Sequence, residues 1–183
     1  MPEYRRIKLA GGTIFFTVVT YDRKPILVLP ESRRILRRVW KDVQTKHPFE
    51  TVAICLLPDH LHTIWKLPED DSDYAMRWNE IKRHFTHEYL KLAREVSVRD
   101  ESRKKRREST IWQRRYWAHI IYDQDDLHAH IDYIHFNPMK HEFVNQVSDW
   151  PWSSFHRYIR MGVYSLDWCG CLGAGLMDKS MGE

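Results

Sequence analysis

Along this chain, short runs of β-branched and aromatic residues alternate with longer stretches whose apolar positions recur at helical spacing. Residues 13–20, TIFFTVVT, lie between Gly11-Gly12 and the turn-like Tyr21-Asp22-Arg23-Lys24-Pro25, which predicts a strand buried on at least one face. Pro30-Glu31-Ser32 opens a helix to about Lys46; Ile35, Leu36, Val39 and Val43 form its apolar stripe, and His47-Pro48 ends it. Residues 49–57 and 60–67 predict two more strands about a Pro58-Asp59 turn, with Pro68 ending the second. The acidic run Glu69-Asp70-Asp71-Ser72-Asp73 caps a helix from Tyr74 to Val96, in which Trp78, Ile81, Phe85, Tyr89 and Leu92 share a face. Residues 97–109 are charged and nearly free of apolar side chains, as in a loop or a frayed helix end. Residues 111–121, IWQRRYWAHII, predict a fourth strand. Asp123-Gln124-Asp125 then caps a helix over 126–136, which Asn137-Pro138 bends or breaks. An aromatic stretch from Asp149 to Phe155 and a glycine-containing tail follow.

Strand, helix, strand, strand, helix, strand, helix is the order of an α+β sandwich of the ferredoxin-like kind. The expectation is a mainly antiparallel sheet of four to five strands with helices on one face. One domain over residues 1–160 and a partly flexible tail over 161–183 suit a chain of 183 residues.

Composition narrows the function classes. No stretch approaches the roughly twenty apolar residues of a membrane helix, and the N-terminal residues lack the apolar core of a signal peptide. A cytoplasmic, nucleoid-associated protein with no membrane partner is therefore expected. Three cysteines make no disulfide framework; Cys55 sits in an apolar run where a buried thiol is the ordinary case. Cys169 and Cys171 have no second pair with which to build a zinc ribbon. The net charge of +4 gains meaning from its distribution. One basic group is Arg33, Arg34, Arg37, Arg38 and Lys41; another is Arg103, Lys104, Lys105, Arg106 and Arg107. Solvated helix faces account for such charge as readily as phosphate contacts do, but 8 Trp and 9 Tyr add flat surfaces for stacking on unpaired bases.

The candidate chemistry begins at His60-Leu61-His62. On a strand the two imidazoles point to the same side and make half of a metal site. A second His-x-His pair, His128 and His130, falls in a predicted helix, where the two side chains diverge by about 200°. Tyr133 and Asn137 share a helix face if the helix persists to Asn137, and a hydroxyl and an amide would then project together. Packing of Tyr133 in the core, with Asn137 as a C-cap before proline, fits the same spacing. His130 lies one turn before Tyr133, and His141 is a substitute ligand should Asn137 face away. Tyr116 and Tyr122 are rival hydroxyls.

Leu57-Pro58-Asp59-His60-Leu61-His62 followed by Asp132-Tyr133-Ile134-His135-Phe136-Asn137-Pro138-Met139-Lys140-His141 resembles the single-tyrosine HUH transposases of the IS200-like type, and within them the REP-associated branch. Tyr4-Arg5-Arg6 with Gly11-Gly12-Thr13, Trp78-Asn79-Glu80-Ile81-Lys82, and the segment from Ser148 to His156 resemble that branch too, so the likeness spans residues 3–170. It implies an HUH-type domain over 1–160 that cleaves and rejoins single-stranded or hairpin DNA of the REP/BIME palindrome kind, through a 5′-phosphotyrosine and a free 3′-hydroxyl. By motif, Tyr133 is the implied nucleophile. His60, His62 and Asn137 are the implied ligands of Mg²⁺ or Mn²⁺, Asn137 standing where many mobile-element relatives have glutamine. Arg5, Arg6, Arg33, Arg34, Arg37 and the run Arg103, Lys104, Lys105, Arg106, Arg107 are the DNA-binding candidates, and a monomer is implied rather than a dimer. Residues 89–109 depart from the branch in being longer and more charged. The alternative from another class is a non-catalytic nucleic-acid-binding regulator on the same fold, which has no need of His60, His62, Tyr133 and Asn137 together.

Overall fold

The computed structural model describes residues 9–93 and 111–170. Its elements are β1 (Thr13–Val19), α1 (Pro30–Lys46), β2 (Glu50–Leu56), β3 (His60–Lys66), α2 (Tyr74–Ala93), β4 (Trp117–Ile120), α3 (Gln124–Lys140) and α4 (Phe155–Arg160). The sheet order is β2-β3-β1-β4 with every neighbour antiparallel, the interleaved order of a ferredoxin-like βαββαβ unit.

Both faces of this sheet are covered. Ile14, Phe16 and Val18 of β1 and Leu61 and Trp65 of β3 pack against α1 and α2. The intervening residues Phe15 and Ile64, with Ala53 and Cys55 of β2, meet Ile131, Tyr133 and Ile134 of α3 and Trp150. The strand–helix order placed helices on one face; α1 and α2 do lie there, and α3 forms a further layer opposite. The reason is written in β1, which has no polar alternation: a strand apolar on both sides needs cover on both sides.

On the α1–α2 face Trp65 and Trp78 stack at 4.4 Å, with Trp40 edge-on at 5.3 Å from Trp65. The buried guanidinium of Arg77 donates to the carbonyls of His47, Pro48 and Asp73 and to Asp71 Oδ2 at 2.6–3.1 Å, closing the end of α1 onto the start of α2. Asp73 caps α2 by accepting from Met76 N at 2.9 Å.

Two boundaries differ from expectation. The predicted strand 111–121 is interrupted: Trp112 bridges to Thr20, and regular pairing resumes only at Trp117. The helix expected to bend or break at Asn137-Pro138 instead runs through to Lys140. Pro138 falls in its last turn, so the helix forgoes only the bond that this residue's N–H would have given to Ile134 O, and His141 closes the helix by donating to Asn137 O at 3.0 Å. The outer edge of β2 is covered by the Trp152–Ser154 segment: Leu56 N donates to Trp152 O and Ser154 N to Ile54 O.

Candidate active site

Strand alternation and register assemble the first half of the site. On β3, His60 lies opposite Val19 of β1, and His62 opposite Thr17. Both imidazoles are fully buried on the α3 side, with ring centroids 4.9 Å apart. Each has its Nδ1 engaged. His60 Nδ1–H donates to Asp59 Oδ1 at 2.6 Å, and His62 Nδ1 is 2.9 Å from Thr17 Oγ1. Burial pushes the Asp59 carboxyl up, but the hydrogen bond and charge of His60, then those of Arg23, outweigh it and hold the pKa at about 2. A carboxylate on Nδ1 sets the tautomer that leaves a lone pair on Nε2. His60 Nε2 is buried and has no hydrogen-bond partner among the described residues. Buried polar nitrogens are almost always paired, so this one fits the role of a metal ligand.

The continuation of α3 past Pro138 supplies the second half. Tyr133 and Asn137 lie on successive turns of one helix face, and both are buried. The Tyr133 ring meets His62 edge-on at 5.4 Å, and Lys140 Nζ donates to its hydroxyl oxygen at 3.1 Å while lying 4.9 Å from the ring centre. Tyr133 is thus packed against Phe15 in the core and also faces His62. Asn137 is inside the helix, and the C-cap is His141, whose ring comes within 5.2 Å of His60. A hydroxyl and imidazoles therefore meet on one face of the sheet, and a buried amide lies one turn further along α3. Such a nitrogen-and-oxygen donor set with no thiolate suits Mg²⁺ or Mn²⁺ more than it selects a soft ion.

The other candidates fall elsewhere. Tyr116 packs with Phe16, Tyr74 and Trp78 on the opposite face, and Tyr122 is exposed beside His119. Arg33, Arg34 and Arg37 belong to α1, across the sheet from the histidines. Arg33 lies 4.7 Å over the Trp152 ring, Arg34 pairs with Glu31, and Arg37 lines a groove of about 1250 Å³ with Lys41, Trp152 and Arg157. Arg5, Arg6 and the run Arg103 to Arg107 lie outside the described residues. Sequence reasoning missed three supporting residues. Asp59 was legible as a carboxylate adjoining His60. Lys140, seven positions after Tyr133 on the same helix, was legible only with the helix carried past Pro138. Thr17 reaches His62 across strands, for which the linear sequence holds no signal.

The chain as a whole is also similar to known proteins. Residues 11–137 match the family model described as "Transposase IS200 like". The chain is similar to a REP-associated tyrosine transposase of Escherichia coli K12, at 43% identity over all of this chain and 98% of that protein. A Haemophilus influenzae protein whose name carries the same description is 46% identical over 93% of this chain and 94% of its own length. Among solved structures, a REP-associated tyrosine transposase bound to a REP hairpin is 41% identical, with a TM-score of 0.81 over all of this chain and 98% of that one.

Proposed function

The chain belongs to the REP-associated tyrosine transposases of the IS200-like family, and from that premise we propose that it is a single-stranded DNA transesterase acting on REP-type hairpins. The observation that carries this reading is the meeting of His60, His62 and Tyr133 on one face of the sheet, with Lys140 on the tyrosine oxygen and the buried Asn137 one turn after Tyr133 on α3.

Tyr133 is the nucleophile. Its hydroxyl oxygen bonds to the scissile phosphorus, the bond from phosphorus to the 3′-oxygen breaks, and the strand leaves with a free 3′-hydroxyl while its 5′ end stays on the tyrosine. The phenol gives up its proton, and the leaving 3′-oxygen gains one. A phenol with an ordinary pKa near 10 needs help at neutral pH. The Lys140 ammonium, 3.1 Å from that oxygen, stabilises negative charge on it and holds it in place. His60, His62 and Asn137 would hold the divalent ion, Mg²⁺ or Mn²⁺. When bound, such an ion neutralises charge building on the phosphate oxygens. Asp59 and Thr17 keep the two imidazoles turned for that purpose. Attack by a second 3′-hydroxyl on the phosphotyrosine reseals a strand, and because the phosphodiester energy is kept, no ATP is consumed.

The partner is hairpin DNA of the REP/BIME kind, met in the cytoplasm by a monomer. Arg33, Arg37 and the basic residues outside the described segments supply phosphate contacts. Among the described residues no helix is long and apolar enough to cross a membrane.

The test is an adduct assay with labelled single-stranded REP-type hairpins and Mn²⁺ or Mg²⁺. A metal-dependent covalent adduct, lost in Tyr133→Phe and severely weakened in His62→Ala, is the expected result. Absence of any adduct, with a tight and salt-sensitive shift on a native gel, would instead describe a non-catalytic DNA-binding regulator.

A further inference from the structure

The α3 side of the sheet holds a second group of metal-type donors that the reaction above does not use. His119 comes from β4, and Asp126 and His130 from the first turns of α3. His119 Nε2 is 2.9 Å from Asp126 Oδ2, and His130 Nδ1 is 3.0 Å from Asp126 Oδ1. The two imidazole rings stack at 4.5 Å and 15°, and the three donor atoms lie within 4.8 Å of one another. The Asp126 carboxylate is further held by the N–H of Tyr122 at 3.0 Å. Phe15 separates this group from the HUH pair, its ring 4.9 Å from His130 and 5.6 Å from His62.

We propose that His119, Asp126 and His130 form a second divalent-metal site, for a first-row transition ion of the Zn²⁺ class, which fastens β4 to the start of α3. Each imidazole nitrogen lies about 3 Å from one oxygen of the shared carboxylate, and one donor atom per residue within 4.8 Å of the others is a separation that an ion with bonds of about 2.1 Å can span. Two imidazoles and one carboxylate are a borderline-soft set, distinct in preference from the amide-containing set around His60. The site has a buried side and an open one: the His130 side chain is 4% exposed, those of His119 and Asp126 26% and 21%, so water can complete the coordination. Burial favours the neutral form of His130 against the opposing pull of Asp126, and a neutral imidazole is the form that ligates. His130 Nδ1 also contacts its own helix carbonyl at Asp126, 2.8 Å away, so ligation through Nδ1 would need the tautomer with its proton on Nε2. Asp126 remains a carboxylate, because hydrogen bonds from His119 and the Tyr122 N–H outweigh the effect of its burial. Tyr133 follows His130 by one turn, so an ion here sets the helix that carries the tyrosine.

The inference is independent of the transesterase reading and is tested on the full-length chain by metal binding alone. Chelator-treated protein is titrated with Co²⁺, whose visible spectrum reports imidazole ligation, and its melting is followed with and without Zn²⁺. His119→Ala and Asp126→Asn are each expected to bind one equivalent fewer than the parent while keeping its circular dichroism. The double variant His60→Ala, His62→Ala is expected to retain one equivalent and a Zn²⁺-dependent rise in melting temperature. Should that double variant fail to fold, the single loss in His119→Ala against the parent gives the same answer. Equal stoichiometry and equal Zn²⁺ stabilisation in the parent, His119→Ala and Asp126→Asn would overturn the proposal and leave the triad as hydrogen bonding only.

Discussion

The two faces of the sheet are built by the same strands and could hardly differ more. Toward α1 and α2, β1 and β3 present Phe16 and Trp65 to a stack of aromatic rings, and the deeply buried Arg77 has its donors satisfied. Toward α3, the alternate positions of those strands present Phe15, Thr17, His60 and His62, and the facing helix offers Tyr133 and Asn137. One face is a conventional core. The other buries polar groups that are costly to bury unless something pairs with them. Strand period makes this division possible: adjacent residues of β3 face the aromatic core and the histidine layer in turn, and the packed face behind holds the polar one in position for the proposed chemistry.

The comparison predicts where damage will show. The largest effect on stability belongs to the aromatic face. Trp78→Ala removes a ring stacked on Trp65 and is expected to cost about 3–5 kcal/mol in denaturant unfolding, without a specific effect on adduct chemistry in the protein that remains folded. A third region, where the buried His135 of α3 packs against Ser154, Phe155 and Tyr158 rather than against the histidine pair, should reveal itself through pH. Burial, with Arg157 and His156 adding to it, holds the His135 imidazole at about 3, while an unfolded histidine titrates near 6.5. Between those values the unfolded chain binds more protons. Stability is therefore full above about pH 6.5 and falls as the pH drops toward 3, by roughly 3 kcal/mol at pH 4 from this residue alone. Melting curves across pH check this, and His135→Asn should flatten that dependence whatever its own cost.

Smaller effects should separate chemistry from folding. Lys140→Met keeps much of the side-chain bulk but removes the donor on the Tyr133 oxygen; the adduct-forming rate should fall about 10–100-fold with stability nearly unchanged. Thr17→Val removes the support of His62 Nδ1 and should weaken divalent-ion affinity by about 10-fold, read by metal titration of the cleavage rate. If Thr17→Val instead destabilised the fold as severely as Trp78→Ala, the division between the two faces would collapse.

Much of this was open to reading along the chain. Apolar runs and turn residues placed four strands, and helical spacing placed the α1 and α2 stripes, because those signals are local. The His-x-His pair on a strand was legible for the same reason: the side-chain period needs no partner to be known. Pro138 misled, because the proline rule does not say whether a helix stops at the proline or runs a few residues past it, and those residues decide whether Asn137 and Lys140 join Tyr133 on one helix.

The sequence by itself determined the order of elements, the burial of β1 on at least one face and the placing of His60 and His62 on one side of a strand, all set by neighbours a few residues apart. Only the tertiary structure decided that α3 lies across the histidine face, that Thr17 orients His62, and that His119 joins Asp126 and His130. Those contacts bring together residues from different elements, and their geometry comes from sheet register and layer packing rather than from any pattern within one stretch of chain.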